Sequence, residues 1–328
     1  MSTSELKVGL IGLGTVGTAF LEVLRARAKS ILDRTGVALD VVSIAVARPH
    51  IPRPVAATIP VHGSAAEIAS NPDIPIVVEA SGAKEADEWI AAVLARGGVA
   101  ITANKQALVK SPLLLQCLAD HYPDLHCEAA VAGALPIVRT LRESLSGDRV
   151  HLLRGILNGT TNFVLSNLER TSSFEAVLRE AQAAGYAEAD PTADLSGADA
   201  AAKLSILTTI AWCEPVPVSC IEVEGIDASV VDEVQRAKSE GRRVRLVAKA
   251  WRNGHIAASV KPEALLDRDP LARAQGVENV IQLQTELAGN LSWQGVGAGG
   301  VPTASALLAD LLSAVHSINR PFRRSAYA

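Results

Sequence analysis

An excess of charge of one sign is missing from this chain. Its 328 residues carry 31 Lys and Arg against 35 Asp and Glu, a net −4. Basic pairs occur only at Arg242-Arg243 and Arg323-Arg324. They read as solvated faces, so nothing marks a nucleic-acid partner. Cysteine is scarce. Cys117, Cys127, Cys213 and Cys220 form no CxxC pair, and no His/Cys spacing suits zinc. Free, mostly buried thiols in a reducing compartment are expected. Long hydrophobic runs are also missing, since no stretch reaches the ~20 apolar residues that span a bilayer. The first apolar run starts at Val8, is broken by Gly9, Gly12, Gly14 and Gly17, and has no basic segment before it, unlike a secretory signal. A soluble, cytoplasmic protein with no membrane partner is expected. Apolar material is plentiful: 48% hydrophobic against 20% charged excludes a disordered chain and provides for a large core. Single cores rarely grow past ~250–300 residues, so two domains are expected.

The first half alternates strands and helices. Lys7 to Ile11 reads as a buried strand, followed by a glycine turn and a helix from Thr18 to about Asp33. Leu39 to Val46 is a second strand, and Ile76 to Ala80 a third that stops at Ser81-Gly82. Lys84 to Arg96 is a helix, and Val99 to Thr102 is a strand that ends at Ala103-Asn104-Lys105. Such alternation implies a Rossmann-type, doubly wound parallel sheet in an α/β fold. Ligands on these sheets sit outside the carboxyl ends of the strands, which makes Ser81 and Lys105 candidates to line the crevice.

The turn Gly12-Leu13-Gly14-Thr15-Val16-Gly17 stands where a dinucleotide fingerprint belongs, between a strand and a helix. Gly12 permits the tight turn, Gly14 lets backbone approach a pyrophosphate, and Gly17 lets the helix pack on the strand. The helix N-terminus adds free N–H groups and a favourable dipole. A nicotinamide dinucleotide is expected there. An NAD site places an acidic residue at the end of the second strand. Here that place holds Ala47-Arg48-Pro49-His50, with Arg53 just beyond. Arg48 is either a surface arginine or a ligand for a 2′-phosphate, which favours NADP and leaves NAD open.

After about residue 140 the pattern changes. Apolar segments at 149–156 and 161–168 flank Asn158-Gly159-Thr160-Thr161, and Phe174 to Ala184 reads as a helix. Ala198 to Trp212 is a long apolar helix that carries Asp199 and Lys203 four apart, on one face. That spacing fits either a solvated salt bridge or a polar site, with Glu188, Asp190 and Asp194 clustered just before it. Two strands, 243–251 and 255–260, meet at the hairpin cue Asn253-Gly254. Further strands are expected at 280–283 and 285–291, and a final helix at 303–317.

Six ordered motifs now resemble a known family. They are Gly-Leu-Gly-Thr-Val-Gly (12–17), Thr-Ala-Asn-Lys (102–105), Asn-Gly-Thr-Thr-Asn (158–162), Gly-Tyr-Ala-Glu-Ala-Asp-Pro (185–191), Gly-Ala-Asp-Ala-Ala-Ala-Lys (197–203), and Gly-Ala-Gly followed by Pro-Thr-Ala-Ser (297–305). Over nearly its whole length the chain resembles homoserine dehydrogenases. The resemblance implies hydride transfer between a nicotinamide and C4 of L-aspartate 4-semialdehyde, giving L-homoserine. It implies Lys203 as proton donor and Lys105 beside the nicotinamide. Glu188 and Asp199 would hold the substrate, with a backbone contact from Gly185. Gly299 would approach the cofactor from a C-terminal helix that returns to the nucleotide domain. Residues 1–140, completed by 300–328, would form the dinucleotide-binding domain. Residues 141–299 would form an α+β substrate-binding and dimerisation domain, giving a homodimer. A monovalent cation such as sodium would sit on backbone carbonyls of Glu128, Val131, Gly133 and Leu135, although Ala134 replaces a glycine common in relatives. Many relatives carry a further C-terminal regulatory domain. This sequence ends at Ala328, so a short form without threonine feedback is expected.

The chemistry agrees with those roles. Reducing an aldehyde develops negative charge on oxygen, and a lysine ammonium stabilises that charge and delivers the proton. Two other readings stand beside the first. One is a diverged enzyme acting on another small hydroxy amino acid, since a methylene shifts specificity by only ~1–3 kcal/mol. The other is a non-catalytic NAD(P)-binding sensor on the same fold. A sensor has no need of Lys105, Glu188, Asp199 and Lys203 together.

Overall fold

The computed structural model describes residues 4–318, so the Arg323-Arg324 pair lies outside the described residues. The chain divides into two compact units. One comprises Met1–Cys117, His121–Gly133 and Gly299–Ala328; the other comprises Leu118–Asp120 and Ala134–Ala298.

The first unit is built on six strands: β1 (Ser4–Ile11), β2 (Val37–Ala45), β3 (Val61–His62), β4 (Ile76–Glu79), β5 (Val99–Thr102) and β6 (Leu125–His126). All pair in parallel, in the order β3-β2-β1-β4-β5-β6. Every residue of β4 and β5 is buried. That is why Ile-Val-Val-Glu and Val-Ala-Ile-Thr read as continuous rather than alternating runs: helices cover both faces of a parallel sheet. The helix Thr15–Thr35 follows β1 directly. It stops at Gly36, whose left-handed φ of +72° lets its N–H bond back to Leu32 O. Phe20, Leu21, Leu24 and Ile31 of this helix share one core with Val8, Leu10, Val41 and Ile44 of the sheet.

Leu307, Leu311, Ala314 and Val315 of the C-terminal helix Gly300–Ile318 join the same core. By length and composition this helix is apolar enough to cross a membrane, but in the fold it is a core helix. Its one acidic residue, Asp310, is buried and accepts the Glu128 N–H at 2.9 Å. The strand order reverses at β1 and β4, which places the ligand crevice of this sheet type at their carboxyl ends.

The second unit carries a mixed sheet of β7 (Val150–Ile156), β8 (Glu222–Val223), β9 (Arg242–Asn253), β10 (His255–Leu266), β11 (Glu278–Thr285) and β12 (Asn290–Val296). The order is β12-β11-β7-β9-β10-β8, antiparallel except where β8 meets β10. The hairpin cue is real, since Gly254 turns at φ +76° between β9 and β10. Four helices of ten or more residues accompany the sheet: Gly159–Leu168, Phe174–Ala183, Ala198–Trp212 and Val230–Ser239.

Three expectations are corrected. No strand runs from 285 to 291. Instead β11 ends at Thr285, Gly289 (φ +73°) turns the chain, and β12 begins at Asn290. The turn is held by Asp148, which accepts the N–H groups of Leu287 and Ala288 at 2.9 Å each. The thiols are free, but only Cys127 is buried. Cys213 and Cys220 are exposed because they fall at the end of a helix and on a connecting turn. Arg243 is not simply solvated, since its guanidinium bridges Glu169 and Asp267 at 2.9 Å each. Beside it, fully buried Arg245 pairs with the same Glu169 at 2.8 Å.

Candidate active site

The glycine turn follows β1 at the point where the strand order reverses. Gly12 N–H donates to Ala45 O at the end of β2, and Ala80 N–H donates to Ile11 O. Gly12 lies at φ +94°, and a Cβ there would fall 2.5 Å from Ser81 Cα. A Cβ on Gly17 would fall 2.2 Å from Gly12 O. Both positions therefore require glycine for internal packing. Gly14 differs: a Cβ there would meet no protein atom within 4 Å, so the space in front of it is open. A cavity of about 600 Å³ opens over this turn, lined among others by Leu13, Gly14, Arg48, Arg53, Ser81 and Trp89. The exposed Gly14 and Thr15 N-terminus of the helix faces solvent at this end of the sheet. An open glycine-lined space at a helix N-terminus, on a 3-2-1-4-5-6 parallel sheet, fits the pyrophosphate of a dinucleotide.

Arg48 is exposed at the cavity. Arg53 supports the loop that carries it, donating to Arg48 O at 2.9 Å and Ile51 O at 2.7 Å. Ser81 follows β4, and both its N–H and hydroxyl donate to Glu79 Oε1, at 2.8 and 2.6 Å. Lys105 opens the helix Lys105–Lys110, capped by Asn104, which accepts the Ala107 N–H at 3.1 Å. Gly299 (φ +123°) leads into the C-terminal helix and accepts the Thr303 N–H at 3.1 Å. A Cβ on Gly300 would press on Thr15 of the glycine-turn helix at 3.2 Å.

In the second unit, Asp199 lies in the first turn of the helix Ala198–Trp212, where the dipole favours a carboxylate. Lys203 follows one turn later, its Nζ 2.8 Å from Asp199 Oδ2. The side chains are 11% and 12% exposed, so this is not a solvated surface bridge. Lys203 Nζ also donates to Leu157 O at 2.7 Å. Two of its three N–H groups are thus engaged by protein atoms.

Asn158 ties the group together. Its Nδ2 donates to Asp194 Oδ1 at 2.7 Å and to Asp199 Oδ2 at 2.9 Å, while its Oδ1 caps the helix Gly159–Leu168 by accepting the Thr161 N–H. Thr160 Oγ donates to Tyr186 O at 2.7 Å, which draws the 158–162 and 185–191 motifs together. Gly185 (φ +74°) turns the chain after the helix Phe174–Ala183. The side chain of Glu188 is exposed and stands outside this network; its carbonyl accepts from Gln182. Asp190 is occupied locally. The Thr192 hydroxyl and N–H both donate to it and hold its carboxyl below the ordinary range.

The proposed cation ligands lie on the turn 128–135. Val131 N–H donates to Glu128 O at 3.4 Å, and Ile137 N–H donates to Leu135 O at 2.8 Å. Ala132 and Gly133 are both left-handed, at φ +55° and +56°. Glu79 belongs to no sequence motif, and Thr102, Asn158 and Asp194 stand in the sequence only as members of a motif or an acidic cluster, with no site role of their own. Asn158 was visible as part of a motif, but its partners lie 36 and 41 residues away.

The sheet order, the glycine turn and the open space before Gly14 define a protein of the Rossmann-type dinucleotide-binding class. Two family models match the chain. One described as the homoserine dehydrogenase NAD binding domain matches residues 12–130, and one described as homoserine dehydrogenase matches residues 136–312. Among curated relatives, the homoserine dehydrogenase of Pseudomonas aeruginosa is 37% identical over 95% of this chain and 73% of its own length. That of Bacillus subtilis is 32% identical, with the same coverage of each. The crystal structure of a homoserine dehydrogenase from Thiobacillus denitrificans superposes with a TM-score of 0.88 at 36% identity, covering 98% of this chain and 76% of that one. A hyperthermophilic archaeal homoserine dehydrogenase in complex with NADPH superposes with a TM-score of 0.80 at 26% identity, covering 95% and 98%. The chain belongs to the homoserine dehydrogenase family of oxidoreductases.

Proposed function

We propose that this chain is a soluble, cytoplasmic enzyme that interconverts L-homoserine and L-aspartate 4-semialdehyde with NADP as its preferred cofactor. The observation that carries the reading is the nearly buried Lys203, held by Asp199 and Leu157 O with its third N–H available to a substrate oxygen. The bound nicotinamide supplies the hydride in reduction and accepts it in oxidation. In the reductive direction the aldehyde carbon gains that hydride, and its oxygen gains the proton from Lys203 Nζ. Oxidation reverses both transfers. The ammonium also stabilises the developing alkoxide before the proton moves. Asp199 opposes the charge of Lys203 and, with the exposed carboxylate of Glu188 and the Gly185 backbone, forms the set that receives the substrate's α-ammonium. Lys105 is the cation at the nicotinamide end of the dinucleotide, and Gly299 closes on the cofactor from the returning chain.

Coenzyme choice rests on Arg48. No carboxylate stands at the end of β2 to accept ribose hydroxyls, and two arginines line the cavity there. Steady-state oxidation of L-homoserine is expected to give a higher kcat/KM with NADP than with NAD. Arg48→Ala is expected to lower the NADP value about 10-fold and leave the NAD value unchanged, the size of one exposed charge-assisted contact. Absence of any homoserine-dependent dinucleotide reduction overturns the reading. A monovalent cation on the carbonyls of Glu128, Val131, Gly133 and Leu135 belongs to the same proposal, and the assay repeated in sodium and in choline chloride tests it. So does a homodimer through the mixed sheet, whose strands expose Val223, Trp251, Leu266 and Val296. Sedimentation equilibrium is expected to give twice the 34.3 kDa chain mass, and a monomer at micromolar concentration counts against it.

A further inference from the structure

Glu79 is the last residue of β4 and only 2% exposed, in a strand whose other members are Ile, Val and Val. A carboxylate is rarely placed there, because desolvating it is costly unless hydrogen bonds compensate. Three do. Oε1 accepts from the Ser81 N–H and hydroxyl, and Oε2 accepts from the Thr102 hydroxyl at 2.6 Å. Glu79 and Thr102 are register partners at the ends of β4 and β5. The bonds continue on both sides. Thr102 Oγ accepts the Asn104 N–H at 2.9 Å, and Asn104 Nδ2 donates to Ala83 O at 3.1 Å. Ala83 N–H in turn donates to Ser81 Oγ at 3.1 Å. The circuit Glu79–Ser81–Ala83–Asn104–Thr102 is therefore closed.

Its two edges touch the two parts of the nucleotide unit that matter most. Ser81 backbone abuts Gly12, the first glycine of the turn. Asn104 caps the helix whose first residue is Lys105. We propose that Glu79 is a positioning residue that fixes the dinucleotide turn and the start of the Lys105 helix as one unit, and this rests on the dehydrogenase reading above. The carboxylate side chain presents an acceptor on each oxygen. An amide of the same shape replaces one acceptor by a donor: it either meets the two Ser81 donors with its NH₂, or reverses the Thr102 bond and leaves the Thr102 hydroxyl proton without its acceptor.

The test compares Glu79→Gln, Thr102→Val and Thr102→Ser with the parent protein in three readouts: NADPH affinity by fluorescence titration, the kcat against KM split for homoserine, and the melting temperature. Glu79→Gln is expected to weaken NADPH binding and lower kcat, each by about 10-fold. Thr102→Val is expected to lower kcat similarly with a smaller change in NADPH affinity, because the Ser81 bonds remain. Thr102→Ser keeps the hydroxyl and is expected to restore kcat. A purely structural role is indicated, and the proposal overturned, by a Glu79→Gln protein that melts earlier but keeps kcat and NADPH affinity. Equal kcat in Thr102→Val and Thr102→Ser overturns it as well, and this pair serves if Glu79→Gln does not fold. NADPH titration requires no homoserine, so its outcome stands even if the parent protein fails to oxidise that substrate.

Discussion

Lys203→Ala is expected to lower kcat for homoserine oxidation about 10³-fold, within the span for a positioned acid–base group. NADPH affinity should stay within about twofold, since Lys203 belongs to the second unit and the dinucleotide turn to the first. The loss has two parts: the ammonium stabilises a developing alkoxide, and it is the proton source. Lys203→Arg separates them. Arginine keeps the charge but does not give up a proton in proteins, and its planar fork does not reproduce the point-like ammonium. It should remain as slow as alanine if proton transfer dominates, and should recover much of the rate if charge alone matters.

Stability has to be read in parallel. Removing one partner of a buried ion pair costs about 3–5 kcal/mol as an upper range. Here Asn158 still donates to Asp199 after the lysine is gone, so the loss should fall below that range. Lys203→Met keeps the apolar stem and reports the chemical loss with the least packing change. Retention of most of kcat by a folded Lys203→Ala or Lys203→Met protein would remove Lys203 from the mechanism.

The features that were legible in sequence are those whose physics is local. The strand, glycine turn and helix from Lys7 onward announce themselves because tight turn, close approach and helix packing each require glycine within six residues. Asp199 and Lys203 share a helix face by spacing alone. Spacing did not settle whether that face meets water; packing around the helix Ala198–Trp212 did. Glu79 was illegible because Ile-Val-Val-Glu-Ala reads as a strand with a polar end. Its importance depends on cross-strand register with Thr102, which no local pattern encodes. The helix Val230–Ser239 was missed although its pattern was present. Val230, Val234 and Ala237 recur at helical spacing, with Asp232 and Glu233 at the start and Arg236 and Lys238 at the end. The strand expected at 285–291 is instead the end of β11, a turn at Gly289 and the start of β12.

The three glycines of the turn should separate in a way that distinguishes folding from binding. Gly17→Ala places a methyl 2.2 Å from Gly12 O, and backbone cannot yield as a flexible side chain can. Gly12→Ala adds a left-handed φ of +94° to a 2.5 Å approach to Ser81 Cα. Both are expected to destabilise the first unit by about 2–3 kcal/mol, the upper part of the range for overpacking, and to lose dinucleotide binding as a consequence. Gly14→Ala meets nothing within 4 Å and sits at an ordinary φ of −83°. Its cost to the fold should be limited to the poorer N-cap, about 1 kcal/mol or less. The new methyl nevertheless occupies the open space where a pyrophosphate must approach the backbone. Gly14→Ala should therefore melt close to the parent protein yet bind NADPH about 100-fold more weakly, the loss expected when a phosphate is held off its charge-assisted N–H bonds. Thermal melts and NADPH titration of Gly14→Ala beside Gly17→Ala read this directly. Parent-like NADPH affinity in a folded Gly14→Ala protein would move the pyrophosphate off this turn, whatever the packing of Gly12 and Gly17 requires.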